Sequence, residues 1–95
     1  MKPVRLSALA AKEIRRIGED IKRDKPQAAV AFVAQLLKRC ESVANAPEGY
    51  GLNPQYGSAV RGVTVSPYVI LYRIRATDIL ILSVRHGARR PVALK

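Results

Sequence analysis

The chain has 95 residues, of which 48% are apolar, so it is long enough for one domain and too apolar to remain disordered. This length leaves no room for a second domain with a core of its own, and residues 1–95 are therefore interpreted as a single domain. Lys and Arg number 17 against seven Asp and Glu, and the formal net charge of +10 implies an acidic partner: nucleic acid, a membrane surface or an acidic protein.

The first predicted elements are a short strand and a helix. Residues 4–6 form an extended lead-in, and Ser7 offers a side-chain acceptor for the free N–H groups of a helix start. Apolar residues then recur at spacings of four, three and four, at Ala10, Ile14, Ile17 and Ile21. This pattern predicts a helix of about four turns with a single apolar stripe.

A second helix is predicted to begin at Pro26, because proline fits the first turn of a helix but cannot continue the preceding one. Its apolar positions follow a three-to-four spacing, at Ala29, Val33, Leu36, Leu37, Cys40, Val43 and Ala44. We expect this helix to end near Asn45, before Pro47. Because the link between the helices is short, they should pack as an antiparallel hairpin.

Beyond a loop rich in Gly and Pro over residues 47–58, the apolar period changes to two. Strands are predicted over residues 60–65, 68–75 and 79–86, and their short connections make them antiparallel neighbours. The sequence thus predicts an α+β fold. In it, an N-terminal antiparallel helix hairpin packs on a small antiparallel β-sheet of three C-terminal strands, plus a short N-terminal strand.

Both faces of the last two predicted strands are largely apolar. On the last strand, Leu80, Leu82 and Val84 are expected to oppose Ile79 and Ile81. In an antiparallel sheet with one solvent-exposed face, apolar and polar residues alternate more regularly along each strand than they do here. The hairpin covers one face, so the apolar surplus on the other is a first indication of a partner.

The chain offers little for metal binding or small-molecule catalysis. It has one His, one Cys and seven scattered acids, whereas a metal site needs several such ligands to converge. Cys40 lies on an apolar helix stripe and is interpreted as a core residue. No Gly-rich loop follows a strand and opens a helix. We therefore expect no metal, no cofactor and no small-molecule substrate.

The sequence also bears on location. The first five residues lack the apolar run of a signal peptide, and the longest apolar run, residues 79–82, is far too short to cross a bilayer. A single cysteine cannot form an internal disulfide. These features predict a cytoplasmic protein without a membrane partner.

One polar group of residues stands out: Arg61, Arg73, Arg75, Arg85, His86, Arg89 and Arg90. They lie on neighbouring predicted strands and the tail, so several are expected to converge on one surface and to bind phosphates or carboxylates. The alternative is a solvated basic rim that keeps the protein in solution. His86 is either a structural hydrogen-bonding group or, as the only imidazole, a catalyst.

Six segments occur in an order that is shared with a known family. They are residues 4–7 (VRLS), the Pro26 helix start, 46–51 (APEGYG), 60–63 (VRGV), 68–74 (YVILYRI) and 81–89 (ILSVRHGAR). Together they resemble the ParE/RelE toxin superfamily of type II toxin–antitoxin systems. The resemblance implies a helix hairpin packed on a small antiparallel sheet. It also implies a cognate antitoxin, whose C-terminal segment wraps the toxin.

The superfamily contains two activities, messenger RNA cleavage in the ribosome (RelE-like) and poisoning of DNA gyrase (ParE-like). The basic and tyrosine positions typical of RelE-like nucleases correspond here to Val60, Gly62, Val69, and Val92 or Ala93. These side chains neither bind phosphate nor move a proton, so the resemblance favours the ParE-like branch. A ribosome-dependent endonuclease using His86 and Arg89 remains the alternative, and a plain nucleic-acid-binding module is a third.

Two regions are predicted to contact the antitoxin or the target. The first is the groove of the helix hairpin around Ile17 and Ile21. The second is the basic surface formed by Arg61, Arg73, Arg85, His86 and Arg89.

Overall fold

The computed structural model describes residues 1–94. The chain forms strand β1 (Val4–Leu6), helices α1 (Ala8–Lys22) and α2 (Pro26–Ser42), and strands β2 (Arg61–Val65), β3 (Tyr68–Ile74) and β4 (Ile79–His86). Single 3₁₀ turns occupy Val43–Asn45, Pro47–Gly49 and Pro54–Tyr56. The α+β class and the packing of a helix hairpin on a small sheet are as the sequence predicted.

Both helices begin where the sequence predicted. Ser7 Oγ accepts a hydrogen bond from the Ala10 N–H at 2.9 Å, which satisfies one free donor of the first turn of α1. Pro26 occupies the first turn of α2, which continues as a 3₁₀ turn to Asn45. The helices approach so closely that a Cβ on Gly18 would lie 2.9 Å from Val33 Cγ2.

The sheet has the order β1-β4-β3-β2 and is mixed. Strands β2, β3 and β4 are antiparallel neighbours, as predicted, but β1 pairs with β4 in parallel, through Val4 with Ile79 and Leu6 with Ile81. The short N-terminal strand is thus a fourth member of the sheet. Its pairing joins the two ends of the chain, and no local sequence pattern encodes it.

The main core lies between the helices and one face of the sheet, here called the helix face. Ile14 and Ile17 of α1 and Leu36 and Cys40 of α2 pack there on strand residues such as Ile70. Cys40 is 2% exposed, which confirms its prediction as a core residue, and burial raises the pKa of its thiol to about 11.

The opposite face, here called the tail face, is covered by the chain itself. Val60, Leu71 and Leu82 are buried there with Tyr56, and Leu94 of the C-terminal tail packs on them. The Leu94 N–H donates to the Tyr56 carbonyl at 2.7 Å. The expectation that a partner covers this apolar surplus is therefore wrong for this part of the sheet, because a loop and the tail cover it.

A β-bulge in β4 changes which side chains face the helices. Leu71 is opposite Ser83 and Tyr72 is opposite Ile81, so Leu82 is an extra residue. Val84 consequently lies in the same core as Ile81, rather than with Leu80 and Leu82 as simple alternation predicted. Within residues 1–94, no helix combines the length and apolarity that a membrane crossing requires.

Candidate functional site

An open cleft of about 210 Å³ lies between α1 and the adjoining ends of β3 and β4. Its lining residues are Glu13, Arg16, Ile17, Asp20, Tyr68, Val84, Arg85, His86 and Arg89. We call it the His86 cleft. It gathers four of the residues predicted from sequence, Ile17, Arg85, His86 and Arg89. It also adds the polar side of α1, which the sequence reading did not assign to a site.

The His86 ring is fixed by two contacts. Its Nδ1 accepts a hydrogen bond from the Ala88 N–H at 3.1 Å, and the ring meets Tyr68 edge-on with the centroids 5.6 Å apart. Because the Nδ1 lone pair is occupied, a neutral His86 carries its proton on Nε2. In this arrangement the Nε2–H of the neutral imidazole is available as a hydrogen-bond donor, and Nδ1 is engaged by the Ala88 N–H.

Glu13 lines the cleft, but its hydrogen bonds stabilise the fold. Its Oε1 accepts the Ser83 hydroxyl at 2.7 Å and the Val84 N–H at 2.9 Å. These donors lie on β4 beyond the point where β1 ends at Leu6. The carboxylate therefore stabilises the uncovered part of the β4 edge, where the β1 ladder no longer supplies acceptors.

The structure does not place the predicted arginines on one surface. Arg61 is paired with Tyr72 on the helix face, and its Nη1 donates to the carbonyls of Glu48 at 3.2 Å and Tyr50 at 2.6 Å. Arg73 lies on the tail face, where its Nε donates to the Ser58 carbonyl at 3.2 Å. Strand alternation therefore divides the predicted basic surface between the two faces of the sheet.

Arg85 is buried at the tail face, with only 6% of its surface exposed. Its guanidinium lies 5.6 Å from the centre of the Tyr56 ring, and its Nη2 donates to the Arg90 carbonyl at 2.9 Å. Its Nε has no hydrogen-bond partner within residues 1–94. Arg85 thus ties the start of the tail to the sheet, and its side chain is not presented to an incoming partner.

Comparison with known proteins identifies the family. The family described as "ParE toxin of type II toxin-antitoxin system, parDE" matches residues 4–91. The chain belongs to the ParE toxin family. A solved structure titled "Chromosomal ParDE TA system from P. aeruginosa" has the same fold, with a TM-score of 0.80 at 18% identity, over 90% of this chain and 96% of that chain. No curated protein matches the sequence significantly.

This ParE-family chain also carries an exposed apolar trough, about 470 Å³ in volume, on the outer side of its helix hairpin. Its apolar floor is formed by Gly18, Ala29, Val30, Val33, Ala34 and Leu37. We call it the hairpin trough. Ile17 and Ile21, predicted for a hairpin groove, instead contact the main core, where Ile17 is 7% exposed.

The sequence reading missed the residues of the hairpin trough. Val30 is 73% exposed and Leu37 is 41% exposed, and Ala34 lies between them at the spacing of one helix turn. The sequence feature that indicates them is a second apolar stripe on α2, beside the stripe that packs in the core. Within residues 1–94, no group of three or more metal-ligating side chains converges.

Proposed function

We propose that this ParE-family toxin inhibits or poisons DNA gyrase and that a cognate antitoxin neutralises it. The proposal rests on family membership, on the net charge of +10 and on the chemistry of the His86 cleft. It makes the chain a macromolecular inhibitor that needs neither a metal nor a cofactor for its effect.

The observation that carries the choice of target is the hydrogen bond that His86 Nδ1 accepts from the Ala88 N–H. Cleavage of RNA through its 2′-hydroxyl needs a general base, and the His86 Nδ1 lone pair is already engaged by Ala88. At the positions where nuclease relatives carry basic groups, Val60 is fully buried and Val69 packs against the tail-face core. Inhibition by binding requires none of this chemistry, so we favour gyrase over the ribosome.

The test is a supercoiling and DNA-cleavage assay with purified gyrase and the purified toxin. We expect loss of supercoiling or accumulation of cleaved DNA, and we expect excess antitoxin to reverse the effect. Arg89→Ala, which removes an exposed cation from the His86 cleft, should weaken inhibition if the cleft contacts the target. Fully active gyrase at saturating toxin would contradict the proposal.

The alternative, a ribosome-dependent messenger RNA endonuclease, is favoured by one observation: His86 and Arg89 line the same cleft. A translation assay with mapped cleavage sites separates the two functions. Cleavage at codon boundaries that needs ribosomes and is abolished by His86→Ala would establish the nuclease. We expect no cleavage by the parent protein or by His86→Ala.

For the antitoxin we propose an amphipathic helix docked in the hairpin trough. The floor is apolar, whereas the rim carries Arg15 and Lys22 beside Glu19, so an apolar helix face flanked by acidic side chains complements it. Arg61, Arg73 and Arg85 contact backbone carbonyls and are less available to such a segment.

The docking proposal is tested by introducing a charge in the trough. Val30→Glu should lower antitoxin affinity at least tenfold in a calorimetric titration, because it places a carboxylate on the apolar floor. Leu52→Glu is the matched control, since Leu52 is 58% exposed and lies outside the trough. Equal affinities for the two variants would move the antitoxin interface elsewhere.

A further inference from the structure

A second polar cleft, about 450 Å³ in volume and separate from the His86 cleft, lies between α2 and the end of β2. Its lining residues are Gln35, Lys38, Arg39, Ser42, Thr64, Val65 and Ser66. We call it the α2–β2 cleft. None of these residues belongs to the basic group predicted from sequence, and the proposed function above does not use them.

The lining of this cleft consists of cations and neutral donors. Lys38 and Arg39 supply two positive charges, and Thr64 and Ser66 present exposed hydroxyl groups. No carboxylate is among its lining residues. The His86 cleft differs in this respect, because Glu13 and Asp20 offset its arginines. The α2–β2 cleft is therefore the better seat for a polyanion.

The positive charge continues beyond the cleft. The Arg39 guanidinium lies 5.6 Å from the centre of the Tyr50 ring, and the Tyr50 carbonyl accepts the Arg61 Nη1–H at 2.6 Å. Tyr50 therefore contacts both Arg39 of the cleft and Arg61 outside it. Because Arg61 already donates to the carbonyls of Glu48 and Tyr50, it adds positive charge nearby, whereas Lys38 and Arg39 are the exposed cations of the cleft.

This geometry distinguishes between possible anions. Consecutive helix residues diverge by about 100°, so Lys38 and Arg39 do not converge on one small ion but suit charges spaced along a chain. Lys, Arg, Ser, Thr and Gln side chains are the usual partners of backbone phosphates. An acidic peptide would also need an apolar anchor, and the one apolar lining residue, Val65, is 6% exposed.

We propose that the α2–β2 cleft binds the phosphodiester backbone of duplex nucleic acid, without sequence preference. The toxin then has its own contact with DNA, independent of any contact with gyrase. Binding is expected to be weak and steeply dependent on salt, because release of counterions from the phosphates supplies most of its free energy.

The experiment measures binding of the full chain to a fluorescent DNA duplex by anisotropy, without gyrase, from about 50 to about 200 mM salt. In the double variant Lys38→Gln and Arg39→Gln, the slope of log K against log salt should fall by about 1.8, which corresponds to about 0.9 per lost phosphate contact. Affinity at the lowest salt should fall about tenfold. An RNA duplex in a parallel series shows which source of phosphodiester is preferred.

The matched control is Lys12→Gln with Arg15→Gln, which removes the same two charges from exposed positions of α1. We expect its slope to change by less than half as much, and both double variants to unfold at the temperature of the parent protein. Equal changes for the two double variants would overturn the proposal, because net charge alone would then explain binding. The proposal would also be overturned if the Lys38→Gln and Arg39→Gln double variant lost binding to a polyglutamate peptide but bound DNA as the parent protein does.

Because gyrase is absent from this assay, its outcome is independent of the proposed function. A toxin that leaves gyrase active but binds DNA through Lys38 and Arg39 supports the cleft and contradicts the choice of target. A gyrase inhibitor whose DNA binding is unaffected by the double variant contradicts the cleft alone.

Discussion

The two faces of the sheet are covered by different kinds of chain. The helix face packs on α1 and α2, two regular elements whose apolar stripes are continuous. The tail face packs on the loop around Tyr56 and on Leu94, held by single hydrogen bonds such as that from the Leu94 N–H to the Tyr56 carbonyl. Both cores are shielded from solvent. The loop and tail make fewer contacts than the helices, so they are expected to open locally at a lower free-energy cost.

The tail face also depends on unusual backbone geometry. Gly57 has a φ of 132°, and a Cβ placed on it would lie 3.1 Å from the Leu94 carbonyl oxygen. Only glycine adopts this conformation without strain and leaves room for the tail. The helix face therefore depends mainly on side-chain packing, whereas the tail face depends in addition on a backbone conformation that favours glycine.

Adjacent residues of β3 test this difference with the largest expected effect. Ile70 and Leu71 are both 0% exposed but lie on the helix face and the tail face respectively. We expect Ile70→Ala to lower the free energy of unfolding by about 4 kcal/mol, and Leu71→Ala by about 2.5 kcal/mol, because the tail and loop can relax into the cavity. Urea unfolding of both variants measures this, and equal losses would show that the two covers are equally rigid.

Glu13 tests how α1 is attached to the strand that both faces share. Glu13→Ala should lower the free energy of unfolding by about 2 kcal/mol, because it leaves the buried Ser83 hydroxyl and the Val84 N–H without their acceptor. Glu13→Gln retains a side-chain oxygen and should recover most of this loss. If glutamine were no better than alanine, the charge rather than the hydrogen bonds would matter.

A smaller effect is expected from the tail itself. Leu94 is partly buried against the tail-face core, so Leu94→Ala should cost about 1 kcal/mol of unfolding free energy through lost apolar burial. Val92→Ala, at a position that is 50% exposed, is the matched control and should change stability by less than half as much. Hydrogen exchange of the Leu94 amide reports whether the tail opens locally, and unchanged protection in Leu94→Ala would contradict a packing role.

The smallest effect lies at the end of the sheet, where charges rather than either core hold the chain. Hydrogen bonds from Arg75, at 2.6 and 2.5 Å, hold the pKa of Asp78 below its ordinary value, with a further contribution from Arg5. A lowered folded-state pKa means that this stabilisation is complete above the unfolded pKa of about 3.9 and is lost as pH falls through the folded value. Asp78→Asn should abolish that part of the acid dependence.

Unfolding of the parent protein and of Asp78→Asn, compared at neutral pH and at several values below pH 4, measures this difference. The parent should be the more stable at neutral pH, and its advantage should shrink on acidification. A stability difference that is constant across this range would show that Asp78 contributes through packing rather than through its charge.

The candidate site was only partly predictable from sequence, and β4 shows why. Ile79 and Ile81 face the helices, so simple alternation would also direct Arg85 toward them. The bulge at Leu82 reverses this order, which buries Arg85 at the tail face and leaves His86 in the cleft beside α1. A bulge depends on the partner strand, so one strand's sequence does not reveal it. The hairpin trough was missed because its stripe lies beside that of the core.

The sequence by itself determined the order and kind of the elements, since helix caps, Pro26 and the two apolar periods act over a few residues. It also determined the family resemblance and the excess of positive charge. Tertiary structure decided the parallel pairing of β1 with β4, the cover of the tail face by Leu94, and the grouping of charged side chains into separate clefts. These features join residues that are distant in the chain, and their free energy exists only once both partners are in place.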